Sequence, residues 1–322
     1  MNGFGPDRVA LSRWLCSGQV VDHAGHVISW HNELHRGFPY PEAAALWLSW
    51  SAWRRAGGAS PVPRDAEAIV AGRLASELST TGAVGRDGVA YLFDSCVALD
   101  ALVRASSAAE SALDDEAWVR ACAGLGRFLE ADSPVLPPAG AAPRWSEEWG
   151  LHLNRAAALL ARAAGGARRP EALELARAIR ERCTRTNGQG GRRYLHAVAY
   201  AVEGELLARA LGEPAGPLAP GEEVEALARL QRPDGGLPAW SDGSGGARTD
   251  VTAQAIRLWT ALDRRGFAAA LTRALDFLAR NQSPEGGLIY ESGGGDRNTW
   301  STIFADQALA WASGDVDLRG LI

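Results

Sequence analysis

The chain has 322 residues, 47% apolar and 22% charged, a balance that fits a soluble globule and is too apolar for disorder. It contains no lysine, so all 33 Lys+Arg are arginine, which excludes Schiff bases, a pyridoxal-phosphate anchor and the Walker A lysine. The formal net charge of −5 argues against nucleic acid as a partner.

From the N-terminus onward, MNGFGPDRVALSRWLCSG lacks a basic start, an apolar core and a small-residue cleavage site. No apolar run is long enough to span a membrane, so a soluble cytoplasmic protein without membrane partners is expected. Helical spacing of alanine and leucine then recurs over about twelve stretches. These are 6–17, 40–57, 64–80, 91–107, 115–132, 147–165, 170–187, 194–212, 220–232, 249–265, 266–282 and 299–314. Alternating strand patterns are almost absent. Cys16, Cys96, Cys122 and Cys183 stand far apart with no CxxC pair, so they read as buried thiols rather than disulfides or zinc ligands.

The loops alternate in length. Long ones precede the helices near 40, 91, 147, 194, 249 and 299, and short ones follow them. The period is about 50 residues with two helices in each repeat, the signature of a helical-hairpin array. Six hairpins can close into an (α/α)6 toroid, an all-α fold, with residues 1–322 as one domain. Residues 1–39 then supply an N-terminal outer helix and a His-rich loop, and 40–322 the remainder of the barrel. Helices after long loops, such as AAALWLSWSAW and YLFDSCVALDALV, are apolar nearly all round and read as the inner ring. Their partners, such as RPEALELARAIRER, are amphipathic and read as the outer ring. LARLQRPDGGL and LARNQSPEGGL share one pattern, read as a structural repeat that ends an outer helix and turns inward.

In such a barrel the inner-helix N-termini converge on one mouth, where free N–H groups favour anionic or polyhydroxylated ligands. The first turns there are polar. Helix one offers Tyr40 and Glu42, preceded by Trp30, His31, Glu33 and His35. Helix two offers Tyr91 and Asp94, and helix three Trp149, His152 and Asn154. Helix four offers Tyr194, His196, Tyr200 and Glu203. Helix five offers Asp250, Thr252 and Gln254, and helix six Trp300, Thr302 and Asp306. An arginine precedes each inner helix, namely Arg36, Arg86, Arg144, Arg193, Arg248 and Arg297, and such residues can clamp a carboxylate or phosphate. Asp94, Glu42 and Asp250 also suit a first turn or cap without any ligand. His23, His26, His31 and His35 cluster with Glu33, but HNELH is not HExxH, so no metal and no cofactor is expected. Trp47, Trp50 and Trp53 share one helix face and read as core.

The strings FPYPEAAALWLSW, YLFDSCVALDAL, LHAVAYAVEGELL and TDVTAQAIRLW, in this order, resemble a group of bacterial α/α-toroid proteins associated with polysaccharide or secondary-metabolite gene clusters. The arrangement is similar to the wider terpenoid-cyclase, prenyltransferase and glycan-lyase toroids and covers about residues 30–315. The resemblance implies that Tyr40, Glu42, Asp94, His196, Tyr200, Glu203, Asp250 and Gln254 are the positions on which the strings centre. The paired Cys and His-Gly motifs of lanthionine-cyclase toroids are absent.

The first functional expectation is a lyase- or isomerase-type enzyme of natural-product or polysaccharide biosynthesis. It would act on a polar, anionic small molecule or glycan. His196 and Tyr200, one turn apart on one helix face, would move protons, with Glu42 or Asp94 as acid partner and Arg193 holding a carboxylate. The binding set would be Trp30, His31, Glu33, Tyr40, Tyr91, His152, Arg193, Asp250, Gln254 and Trp300. The alternatives are a two-carboxylate glycoside hydrolase drawing on Glu42, Asp94 and Asp250, a terpenoid-like cyclase, or a non-catalytic binding toroid.

Overall fold

The computed structural model describes residues 5–35, 37–58, 60–106, 113–138, 140, 144–186, 191–314 and 316–322. Among the described residues there are twelve α-helices. They are α1 (Arg8–Leu15), α2 (Pro41–Ala56), α3 (Arg64–Thr81), α4 (Leu92–Ala105), α5 (Asp115–Glu130), α6 (Leu153–Ala167), α7 (Pro170–Arg185), α8 (Leu195–Ala210), α9 (Pro220–Leu230), α10 (Thr249–Asp263), α11 (Ala268–Arg280) and α12 (Thr299–Ser313). The even-numbered helices pack in sequence, and α12 returns to α2, so the inner ring is closed. The odd-numbered helices lie outside, each against inner neighbours; α1 packs on α12 and completes the outer layer. The fold is the all-α, (α/α)6 toroid that the hairpin period predicts. No described helix is long and apolar enough to cross a membrane.

Burial separates the two rings as their composition requires. α8 buries His196, Tyr200, Glu203 and Glu205 along with its apolar residues, whereas α7 buries only Ala172, Ala176, Ile179 and Cys183. Trp47 and Trp50 are core residues whose indole nitrogens are paired, Trp47 to the Leu15 carbonyl at 2.9 Å and Trp50 to Asp306 at 2.8 Å. Cys96 and Cys183 are buried, but Cys16 and Cys122 are only half-buried, and all four are free thiols.

Strand patterns are almost absent from the sequence, yet among the described residues the long loops hold eight strands of two or three residues. Such short pairs leave no alternation to detect. One of them closes the mouth: Trp30–His31 runs antiparallel to Arg297–Asn298, tying the first long loop to the last. The repeated loop motif is architectural. Gln231 and Gln282 each donate to the backbone of their own turn, at 3.0 and 3.1 Å. Each also reaches the next outer layer, at Ala270 and Asp7. Gly235 and Gly286 have φ of +89° and +109°. The third inner helix starts later than its pattern suggests. Trp145–Glu147 forms a separate 3-10 turn, and α6 begins at Leu153, after Gly150, a poor helix former.

Gly204 lets α8 press directly on α6: a Cβ there would lie 2.3 Å from the backbone nitrogen of Arg155. Gly204→Ala is therefore expected to destabilise the fold by about 1–3 kcal/mol, the cost of overpacking a rigid interface. Urea denaturation reads this directly, and an unchanged midpoint would contradict the packing.

Candidate active site

Three inner helices repeat one local device. Tyr40, Tyr91 and Tyr194 each stand in extended conformation immediately before α2, α4 and α8, and none caps its helix with its side chain. The next residues enter the helix, and the first turn then presents Glu42, Asp94 and His196. Pro41 at the first helical position fixes the turn that follows Tyr40. The result is a chamber of about 170 Å³ at the mouth of the ring, lined by Glu42, Phe93, Asp94, Trp145, Ser146, His152, His196 and Trp300 together with tyrosines 40, 91, 194, 200 and 290. The chain has five tyrosines, so all of them converge here.

Within the chamber Tyr200 donates its hydroxyl to Glu42 Oε1 at 3.2 Å. Its ring stacks on Phe93 with centroids 4.9 Å apart and lies 4.2 Å from the His196 ring. The Arg155 guanidinium sits 4.3 Å from the Tyr200 ring centroid, bringing a buried positive charge close to the site. Behind the lining, His196 Nδ1 lies 3.2 Å from Asp250 Oδ2, and Arg248 contacts the same oxygen at 2.9 Å. Arg248 is itself held 3.6 Å over the Tyr290 ring. Arg248 and Asp250 thus set an ion pair beside the imidazole from outside the chamber.

The three carboxyls differ sharply in proton affinity. Burial raises Asp94 well above the usual carboxylate range and the Glu42 charge adds to this, while Tyr40 and Arg86 oppose it. Burial also raises Glu42, but His196, Tyr200, Arg155 and Tyr40 all pull it back. Burial pushes Asp250 the same way, yet Arg248 and His196 prevail and hold it far below that range. Burial and the neighbouring carboxylates raise Tyr40 and Tyr200, so both hydroxyls keep their protons. Burial, then His196, pushes His152 down to about 4, leaving it neutral. Asp94 Oδ2 and His152 Nε2 are buried without a protein hydrogen-bond partner.

Of the residues expected at the site, Tyr40, Glu42, Tyr91, Asp94, His152, His196, Tyr200 and Trp300 line the chamber. Asp250 is fully buried behind His196. Gln254 lies one turn further along α10, buried, and donates to Glu203 at 3.4 Å. Trp30 packs edge-on against Phe38 and Trp300 and is not part of the lining. His31 contacts Arg297 at 3.0 Å, and Glu33 is exposed. Arg193 corrects the expected anion clamp, because its guanidinium is bound by Glu223 of α9 at 2.7 and 3.0 Å and does not reach the chamber. Arg36 lies outside the described residues. No described lining residue is an arginine. The His-rich loop is divided among separate partners: His26 pairs with Asp22 at 2.9 Å and His35 with Asn32 at 2.9 Å. Among the described residues no three potential metal ligands gather.

Sequence reasoning passed over Phe93, Trp145, Ser146 and Tyr290 and left Tyr194 out of its binding set. The available signal was the loop repeat, which carries an aromatic residue soon after each Gly-Gly-Leu, Trp240 in one copy and Tyr290 in the other.

The sequence matches no protein-family model and no curated protein. Solved structures do match its fold. An unsaturated glucuronyl hydrolase specific for heparin aligns with TM-score 0.66 at 10% identity, over 95% of each chain. The unsaturated glucuronyl hydrolase of Bacillus sp. GL1, responsible for the degradation of glycosaminoglycan, aligns with TM-score 0.65 at 14% identity, over 93% of this chain and 94% of that one. A glycosidase aligns with TM-score 0.63 at 14% identity, over 96% of this chain and 99% of that one. At these identities the likeness is one of fold.

The opposite shifts of Asp94 and Asp250 give opposite pH dependences of stability. Asp94 holds its proton more tightly folded than unfolded. Its stabilising contribution is full in acid and is lost as pH rises through its raised folded value. Asp250 holds its proton less tightly folded, so its contribution is present above the unfolded carboxylate range and is lost as pH falls through its depressed value. Asp94→Asn should therefore gain on the wild type toward alkaline pH, and Asp250→Asn should lose most at neutral pH and least in acid. Melting temperatures of the three proteins from about pH 2 to about pH 8 test this, with the Asp250→Asn difference closing below about pH 4 and the Asp94→Asn difference opening above it, and parallel curves over the whole range would refute it.

Proposed function

We propose that this chain is a glycan-acting hydrolase that cleaves a glycosidic bond next to a neutral terminal sugar held in the chamber. The observation that carries the reading is the pair Asp94 and Glu42. Both are enclosed in the same small cavity with Tyr40 in hydrogen-bonding reach of each; burial raises the proton affinity of both, and the Glu42 charge adds to the rise of Asp94 while His196, Tyr200 and Arg155 restrain that of Glu42. A neutral carboxylic acid beside an ionised carboxylate is the division of labour that glycoside hydrolysis requires. Asp94 gives its proton to the departing glycosidic oxygen. Glu42, positioned by Tyr200, supports the positive charge that develops at the anomeric carbon and assists water or attacks that carbon itself. Water supplies the hydroxyl of the released sugar and returns a proton to Asp94. His196, beside Asp250, and the neutral His152 offer hydrogen bonds to sugar hydroxyls. The tyrosine, tryptophan and phenylalanine rings offer faces for the sugar's apolar side.

The similar structures named as glucuronyl hydrolases and a glycosidase support a glycan-acting enzyme. Two features weigh against the lyase or isomerase alternative. Tyr200 holds its proton and donates it toward Glu42, which makes it a poor base. Elimination at a uronate also needs a neutralised substrate carboxylate, and the described lining contains carboxylates but no arginine. The same feature favours a neutral sugar over an anionic one.

A panel of 4-nitrophenyl glycosides, neutral pyranosides set beside glucuronides, tests the proposal. Release of nitrophenol is expected from a neutral member. Asp94→Asn and Glu42→Gln should each lower kcat by about 10²–10⁴, the usual cost of removing one acid or base. Tyr200→Phe should fold normally and lose less, about tenfold. Full turnover in both carboxylate variants would remove the mechanism, and a preference for glucuronides would remove the neutral-sugar assignment.

A further inference from the structure

A second cavity of about 650 Å³ lies beside the chamber and shares Trp145, His152 and Tyr194 with it. Its floor is the outer face of α8, where Ala197, Val198 and Ala201 leave a shallow apolar bed. Trp149 and Trp240 add aromatic walls. The cavity's arginines are each turned to a partner of the protein's own, and Glu147 and Glu148 add carboxylates to the rim. Arg182 is held by Asp132 at 2.5 and 3.1 Å, and Arg193 by Glu223. Arg192 lies flat over the Trp240 ring at 3.9 Å with Asp242 3.8 Å away. An amphipathic lining with paired arginines and additional carboxylates suits a neutral, ring-shaped, hydroxylated ligand rather than an anion, with apolar faces for the rings and a polar rim for the hydroxyls.

Two observations tie this cavity to the chamber. The first is the shared wall, in which Trp145 stands edge-on to His152 at 5.2 Å and tilted against Tyr194 at 5.1 Å. The second is His152 itself, only 8% exposed, lining both spaces, with Nε2 lacking a protein partner. A buried polar atom left unpaired costs about 1–3 kcal/mol, so a native fold that keeps one at the junction of two cavities points to a ligand group that completes it. Resting on the hydrolase reading, we propose that the second cavity is the leaving-group subsite. It would receive one or more further neutral sugar rings joined to the residue in the chamber, with His152 binding a hydroxyl beside the scissile bond. The larger volume fits this order, a single ring in the chamber and a longer piece outside. The protein would then distinguish an oligosaccharide from a simple glycoside through the outer face of α8, remote from its carboxylates.

The test uses the trisaccharide ending in the neutral sugar that the panel returns and, as control, the glycosyl fluoride of the same sugar, whose leaving group is too small to occupy the cavity. Ala197→Trp fills the floor of the cavity, and Trp149→Ala removes a wall. Each should lower the ratio of kcat/KM for the trisaccharide to kcat/KM for the glycosyl fluoride about tenfold, the effect of losing one aromatic anchor. Glycosyl-fluoride turnover in the same samples reports folding. An unchanged ratio in both variants overturns the subsite and leaves the hydrolase intact. A crystal of Asp94→Asn protein with the trisaccharide gives an independent reading. Rings against Trp149 with a hydroxyl on His152 Nε2 support the proposal, and a chain leaving past Tyr290 and Trp300 refutes it. A panel with no hydrolysed member removes the hydrolase reading and the subsite with it.

Discussion

Glu203 lies on the barrel side of α8 with 1% of its surface exposed, and it pairs with two arginines that have none. Arg155 comes from α6 and Arg257 from α10, so one carboxylate ties three consecutive inner helices together. Neither arginine relies on Glu203 alone. Both donate to the backbone oxygen of Ile322, and Arg257 also donates to Gln307 of α12 at 3.0 Å. Gln307 in turn accepts from the Ile322 amide at 3.2 Å and donates to the Gly320 carbonyl at 2.9 Å. Removing charges from water costs several kcal/mol per ion, and the shared carboxylate, the Ile322 oxygen and Gln307 offset part of that cost, although Nε of each arginine stays buried without a protein partner. What this network adds is register, because the helices have to meet at the heights that bring these groups together.

The same cluster sets the electrostatics of the chamber above it. Arg155 lies under the Tyr200 ring, and its charge is one of those that counter the burial of Glu42. Asp94, on the neighbouring helix, has only Tyr40 and Arg86 to oppose its burial and feels Glu42 as a repulsive charge. Both carboxyls occupy a first helical turn, where the free N–H groups favour an anion. The helix field is therefore common to them, and their difference comes from the side chains packed beneath and beside them. The core ion cluster, placed for packing, thus adds to His196 and Tyr200 in favouring the charged form of Glu42 over that of Asp94.

The toroid is legible in the sequence because its signal is repeated. Six long loops, six apolar helices and six amphipathic partners agree with one another, so a late start at α6 leaves the architecture untouched. The site is legible only where a residue's direction follows from its helix. Glu42, Asp94 and His196 sit at fixed positions in first turns, and their convergence follows from the ring. Arg193 misleads for the complementary reason. It precedes Tyr194 in extended chain, where successive side chains point to opposite sides, so Tyr194 turns into the chamber and Arg193 turns out toward α9. Gln254 shares a face with Asp250 but lies a turn deeper, below the chamber floor. Trp145 and Tyr290 are carried by loops whose course no periodicity records.

A ring of helix N-termini around one opening creates a positive mouth, which by itself attracts anions and suits many chemistries. In this chain that field already has occupants. Glu42, Asp94 and Asp250 fill the first turns of three inner helices with the protein's own acids. Four of the six arginines that precede the inner helices are likewise turned to partners of the protein's own. Arg248 pairs with Asp250, Arg297 with Glu285 and Arg193 with Glu223, while Arg86 covers the Phe38 ring beside Asp87. A substrate entering the chamber meets carboxyls, neutral hydroxyls and aromatic faces. On the proposed hydrolase reading, selection there would rest on hydrogen bonding and ring stacking, with no arginine among the described lining residues to clamp a substrate's carboxylate.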